Sequence, residues 1–219
     1  VCSGYQHNDS FPGSHPLAVG PLGYNGSKAA MELISKADVV LALGTRLNPF
    51  STLPGYGIDY WPKNAKIIQV DMNPDRIGLT KKVTVGIAGD AKQVAKQILD
   101  KLSSNAGDKG REERKNLIHQ TKSAWLQTLT SLDHEDDDPG TVWNKEARER
   151  DKDKMSPRQA WRAIQAAMPE DAIISSDIGN NCAIGNAYPT FEKPRKYLAP
   201  GLFGPCGYGF PSILGAKIG

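Results

Sequence analysis

The chain has 219 residues, with 27 Lys+Arg against 24 Asp+Glu and a formal net charge of +3. That length allows one large domain or two small ones, and it can bury a core without disulfide staples. The weak, mixed charge lacks the clustered Lys/Arg of a nucleic-acid footprint. The longest apolar run, Val39 to Leu43, falls far short of the ~20 residues that a membrane span needs.

Residues 1–26 are rich in Gly and Pro, aperiodic, and read as loop. Ser27 is a candidate N-cap for a helix reaching about Lys36. Asp38 to Leu43 is β-branched and apolar and reads as a buried strand. After a Gly/Pro-rich stretch, Lys66 to Val70 and Val83 to Ile87 read as two more short strands. Asp90 then caps a helix with Val94, Ile98 and Leu102 on one face. Strands alternating with helices imply a parallel sheet.

Residues 103–110 break the pattern. A helix over 111–132 follows, with Leu117, Ile118, Trp125, Leu129 and Leu132 as its apolar side. The acidic run Asp133 to Asp138 and the charge-alternating stretch 144–154 read as a solvated linker. A second unit opens at Ser156-Pro157, a cap followed by Pro at the first helical position. Its helix turns Ala160, Trp161, Ile164 and Met168 inward. Ala172 to Ser175 is a buried strand, followed by Ser176-Asp177-Ile178-Gly179-Asn180-Asn181 and a further helix. Leu198 belongs to another strand, and Pro211 sits where a last helix starts. The fold class is α/β: two parallel-sheet, Rossmann-like units joined by a charged helical linker. The units are expected at 1–103 and 156–219, with the linker at 104–155. Val1 stands where a start Met would be, and 212–219 reads as a helix in progress. We expect an internal segment of a longer chain.

Neither G-x-G-x-x-G in a strand–turn–helix context nor a P-loop occurs. Cys2, Cys182 and Cys206 form no C-x-x-C. They argue against a disulfide framework or a cysteine zinc site and suit a reducing, cytoplasmic setting. His7, His15, His119 and His134 show no metal spacing, and His119 is expected to face solvent. Arg46 and Asp71 lie just past strand ends, where open α/β sheets bind ligands. Arg46 suits a phosphate and Asp71 a ribose hydroxyl; the alternative is that both merely hold loops. The strongest signal lies in the second unit. Backbone N–H groups at the helix start after Gly179, with the Asn180 and Asn181 amides, suit an anion. The glycines from Gly201 to Gly209 allow close approach to a flat ligand, or a tight turn for packing alone.

The run SDIGNNCAIGNAYPTFEKPRKYLAPGLFGPCGYGFPSILGAKIG resembles the start of the pyrophosphate-binding domain of thiamine diphosphate enzymes, in the acetolactate synthase and pyruvate oxidase superfamily. HPLAVGPLGYNG and ADVVLALGTR resemble the central domain of that superfamily. The resemblance implies thiamine diphosphate and Mg²⁺ as cofactors. It implies that Gly179, Asn180 and Asn181 contact the diphosphate, although relatives often carry Gln-His in place of Asn180-Asn181. It implies that the Gly204 carbonyl accepts from the aminopyrimidine. It implies that Cys206 supports the bent cofactor where relatives carry a bulkier Met or Leu, with Phe203 or Tyr208 sharing that role. Arg46 and Asp71 would mark a vestigial nucleotide site. No catalytic residue and no metal ligand is assigned within the chain. The Gly-Asp-Gly metal motif is expected after Gly219 and the activating glutamate before Val1.

Within the superfamily, the likeness implies cleavage of sulfoacetaldehyde by way of acetyl-thiamine diphosphate. Phosphate takes the acetyl group, and sulfite and acetyl phosphate are the products, as in organosulfonate (taurine) breakdown. Small-molecule substrates, no nucleic acid, no membrane, and a homodimer or homotetramer are the implied partners. An acetolactate-type carboligase is the alternative on the same fold. A non-catalytic nucleotide-binding module is the alternative of another class.

Overall fold

The computed structural model describes residues 1–102, 110–131, 154–201 and 203–219. Leu132, His134, the acidic run and nearly all of the charge-alternating stretch lie outside the described residues. The described chain mixes helices with two parallel sheets.

The first sheet has the order β1-β2-β3, from Val39–Leu43, Lys66–Asp71 and Val85–Ala88. Helix α1 (Lys28–Ile34) precedes it, and the Ser27 side chain caps α1 by accepting from the Ala30 amide. Helix α2 (Ala91–Leu102) follows it, with Asp90 Oδ1 accepting the Gln93 amide at 2.9 Å. The strands are parallel as expected, but no α-helix lies between them. Short 3-10 turns at Pro49–Ser51 and Pro74–Arg76 occupy the crossovers instead. Asn48 and Asn73 cap these turns, and Pro opens each one.

β1 is not buried on both faces. Val39, Leu41 and Leu43 are exposed, whereas Ala42 packs with Leu47 and Ile67. Successive side chains of a strand point to opposite faces, and only one face of this edge strand is covered. In α2, Val94 and Ile98 are half-buried and Leu102 is exposed. Val94 lies beside Gly89, just past the end of β3.

Helix α3 (Arg111–Ser131) lies back on α1. Trp125 and Leu129 pack on Ala29 with Tyr188 at the edge, and Ile118 packs against the cluster of Val19, Leu22, Met31 and Tyr60. Leu117 is left partly exposed, and His119 faces solvent. The helix also touches the second unit, where Arg162 donates to Thr130 Oγ1 at 3.2 Å.

In the second unit, α4 (Pro157–Ala167) begins with a full capping box between Ser156 and Gln159. Trp161 sits against Gly185, whose added Cβ would come within 3.1 Å of the indole. Ile164 does not point inward. It is 49% exposed, because the helix meets its neighbour at Trp161 and Ile164 lies beyond that contact. The expected strand 172–175 is shorter and half-buried. Only Ile174–Ser175 (β4) pairs, in parallel with Tyr197–Leu198 (β5). Between them runs α5 (Asn180–Ala187). The last helix, α6 (Gly209–Ile218), starts two residues before Pro211. Proline is tolerated there because first-turn amides have no intrahelical partner.

Candidate functional site

The site begins where β4 ends. Ser176 is buried, and Asp177 follows in the turn that leads into α5. Its carboxylate accepts the amide of Ile178 at 2.8 Å, that of Gly207 at 3.1 Å and that of Gly209 at 3.0 Å. These amides, first Gly209 and then Ile178, with smaller shares from Gly207 and Tyr208, hold the Asp177 carboxyl below the ordinary carboxylate range. One side chain therefore ties the turn before α5 to the glycine loop before α6. The fit is close: a Cβ on Gly209 would lie 3.2 Å from the Asp177 backbone nitrogen. Ser175 and Ser212 add a hydroxyl–hydroxyl bond of 2.6 Å between β4 and α6.

Three positions in this region, Gly179, Gly204 and Gly207, adopt the positive φ that favours glycine. Gly179 adopts φ +105°, and no heavy atom lies within 4 Å of where its Cβ would stand. It precedes α5 with no side-chain cap, so no cap side chain accepts the first amides of the helix, whose first residues Asn180 and Asn181 are exposed. Gly204 adopts φ +55° and rests on the Ile178 side chain, which a Cβ would meet at 2.9 Å. Cys206 is exposed and Phe203 is 90% exposed, so the loop presents apolar groups outward, and Phe210 in the first turn of α6 is exposed as well.

The structure thus brings the Gly179–Asn181 turn and the loop of Gly204 and Cys206 together through Asp177 and Ile178. Arg46 and Asp71 lie elsewhere, in a cleft of about 450 Å³ past the carboxyl ends of β1 and β2, with Tyr5, His7 and Arg76. Asp71 is buried and its Oδ1 accepts the Asn73 amide at 2.9 Å, so it does hold its own loop. The Arg46 carbonyl accepts from Thr80 Oγ1 at 2.5 Å. Among the described residues, no three His, Cys, Asp or Glu gather as for a metal ion, and no helix is long and apolar enough to cross a membrane.

Sequence reasoning missed Asp177 as an organising residue. Its place between a strand end and a positive-φ glycine was a usable signal. It also missed Gln6, Asn8 and Asp9, whose partners lie in the second unit.

Residues 1–98 match the family model "Thiamine pyrophosphate enzyme, central domain", and residues 177–219 match "Thiamine pyrophosphate enzyme, C-terminal TPP binding domain". The chain belongs to the thiamine pyrophosphate enzymes. Over its whole length it is 81% identical to a probable sulfoacetaldehyde acetyltransferase of Rhizobium meliloti strain 1021 and spans 37% of that relative. It is 78% identical to the sulfoacetaldehyde acetyltransferase of Roseovarius nubinhibens, spanning 36% of it. A probable acetolactate synthase large subunit of Methanococcus aeolicus is 29% identical over the whole chain, which spans 35% of that relative.

Proposed function

We propose that this chain is the central and cofactor-binding part of an enzyme that converts sulfoacetaldehyde and phosphate to acetyl phosphate and sulfite. The observation that carries this reading is the unbroken 81% identity over all 219 residues to a relative of that name. An acetolactate synthase relative reaches only 29% over the same span. In this reading, 1–103 is a Rossmann-like central domain, 104–155 a charged linker and 156–219 the first part of the pyrophosphate domain.

The local geometry fits thiamine diphosphate. Gly179 caps α5 without a side-chain acceptor for the first amides, and a Cβ there would have no atom within 4 Å, which suits a diphosphate at the helix start. Gly179, Asn180 and Asn181 would hold that end. Gly204, through its carbonyl, and Cys206, through backbone and side chain, would hold the pyrimidine end. Cys206 would be a small wedge, with Phe203 or Tyr208 sharing the role. When bound, thiamine diphosphate supplies a nucleophilic ring carbon and an electron sink. The chain's own residues bind and orient: Asp177 keeps the two cofactor-facing segments in register, and the α5 amides offset negative charge. In this reading the oxygen ligands that Mg²⁺ requires come from a motif after Gly219, and no described residue is assigned to it. The Arg46–Asp71 cleft would be a vestigial nucleotide site with no catalytic part in this reaction, and Asp71 there already accepts the Asn73 amide of its own loop. The assembly is a homodimer or homotetramer, and the setting is cytoplasmic.

The test is sulfite release by the whole protein given sulfoacetaldehyde, thiamine diphosphate and Mg²⁺, with and without phosphate. Sulfite and acetyl phosphate that both require the cofactor support the reading. No sulfite, but turnover of pyruvate, transfers the same site to a carboligase.

A further inference from the structure

The loop 5–9 of the first unit meets the second unit through directional polar contacts, with Gln6 and Asn8 buried there. Asn8 Nδ2 donates to the carbonyls of Gly185, Asn186 and Pro189, the last at 2.9 Å, and so caps the carboxyl end of α5 from another part of the chain. Asp9 Oδ2 accepts the amides of Lys196 and Tyr197 at 2.8 and 3.1 Å, at the start of β5. The Gln6 amide N–H donates to Asn186 Oδ1 at 2.8 Å, and its side chain reaches the Cys182 thiol. Asn186 is fully buried and in turn donates to the Tyr24 carbonyl at 3.0 Å. Gln6 holds φ +61° while 3% exposed, a backbone state that a non-glycine residue keeps only where its surroundings fix it.

A hydrophobic contact tolerates sliding, whereas a set of directional hydrogen bonds to several backbone groups of an element fixes its register. These bonds grip α5 at its carboxyl end and on its buried face, and β5 at its start. The uncapped amides of α5 lie at the opposite end of the same eight-residue helix. We propose that Asn8 and Asp9 are positioning residues for the cofactor: they hold α5 and β5 from behind and so set the Gly179–Asn181 amides. This rests on the cofactor reading above.

The experiment uses the whole protein and measures thiamine diphosphate affinity by calorimetry, with amide hydrogen exchange as a second readout. Asn8→Ala and Asp9→Ala are expected to weaken cofactor binding about tenfold. The kcat at saturating cofactor should stay within about twofold, because the reacting groups are untouched. Asp9→Asn keeps an acceptor oxygen and is expected to restore most of the affinity. Cofactor binding to the wild type should also slow exchange of the Gln6 amide, since coupling is reciprocal. Wild-type affinity in both alanine variants overturns the proposal. So does protection confined to 178–186 and the glycine loop, a result that needs no variant to fold. No cofactor binding by the wild type instead overturns the cofactor reading, and this inference with it.

Discussion

The carboxylate of Asp177 accepts the backbone N–H of Gly209 at 3.0 Å, joining two segments 32 residues apart. The same carboxylate also takes the Gly207 amide, so the turn before α5 and the loop before α6 share one anchor. Gly207 lies in the loop and Gly209 opens α6, so the one carboxylate fixes both the loop and the helix start.

A pH dependence follows. The folded state holds the Asp177 carboxyl below its ordinary pKa, chiefly through the Gly209 amide. Its contribution is therefore fully present above the unfolded value of ~3.9 and is lost as pH falls through the lower folded value. Asp177→Asn is expected to be less stable than the wild type at neutral pH, and the gap should close in acid. Denaturant unfolding of both proteins across that range checks this. A gap that does not change with pH would reject it.

Gly204→Val is expected to lower both stability and cofactor affinity. The left-handed φ of +55° costs a side-chain-bearing residue ~1 kcal/mol or more. The first added carbon also meets Ile178 at 2.9 Å, so crowding starts within the protein before any ligand is considered. Calorimetry with thiamine diphosphate, alongside thermal unfolding, measures both effects. Unchanged binding would displace Gly204 from the pyrimidine end of the site.

Thiol chemistry separates the three cysteines. Burial raises the pKa of the Cys182 and Cys2 thiols, whereas Cys206 is exposed on the glycine loop. The thiolate is the reactive form. Iodoacetamide at pH 8 is expected to modify Cys206 first and the other two only on unfolding. Thiamine diphosphate should slow the Cys206 reaction. Equal rates with and without the cofactor would count against Cys206 as a cofactor contact.

Ser156→Ala removes the hydroxyl that accepts the Gln159 amide at α4 and leaves the residue-156 backbone amide donating to Gln159 Oε1. A loss of ~1 kcal/mol is expected from denaturant unfolding. Gln159→Ala should lose less, because the Ser156 side chain still accepts the Gln159 backbone amide.

Expressed by itself, the 219-residue chain is expected to release no sulfite from sulfoacetaldehyde. Its described residues gather no carboxylate cluster for Mg²⁺, and the reading places the ring-activating glutamate outside it. Cofactor-dependent sulfite release by this chain alone would show that the assignment of catalytic parts is wrong.

What the sequence alone determined was local. Ser27, Asp90 and Ser156 cap the helices they were read as capping, because a cap is chosen by the side chain beside it. The three apolar runs became β1, β2 and β3, and the glycine before Asn180 became the start of α5. The family motifs are also contiguous, so the resemblance was legible without coordinates. The tertiary structure decided which faces are covered. β1 reads as apolar throughout, yet Val39, Leu41 and Leu43 stay exposed, because burial depends on what packs on an edge strand. It also decided how the site is held. Asn8 meets Pro189 across 181 positions, and Asp177 meets Gly207 across 30. Hydrogen bonds between such distant groups leave no periodicity in the chain. They depend on where folding brings each backbone amide, so Asn8, Asp9 and Asp177 looked like ordinary loop residues until the fold placed their partners.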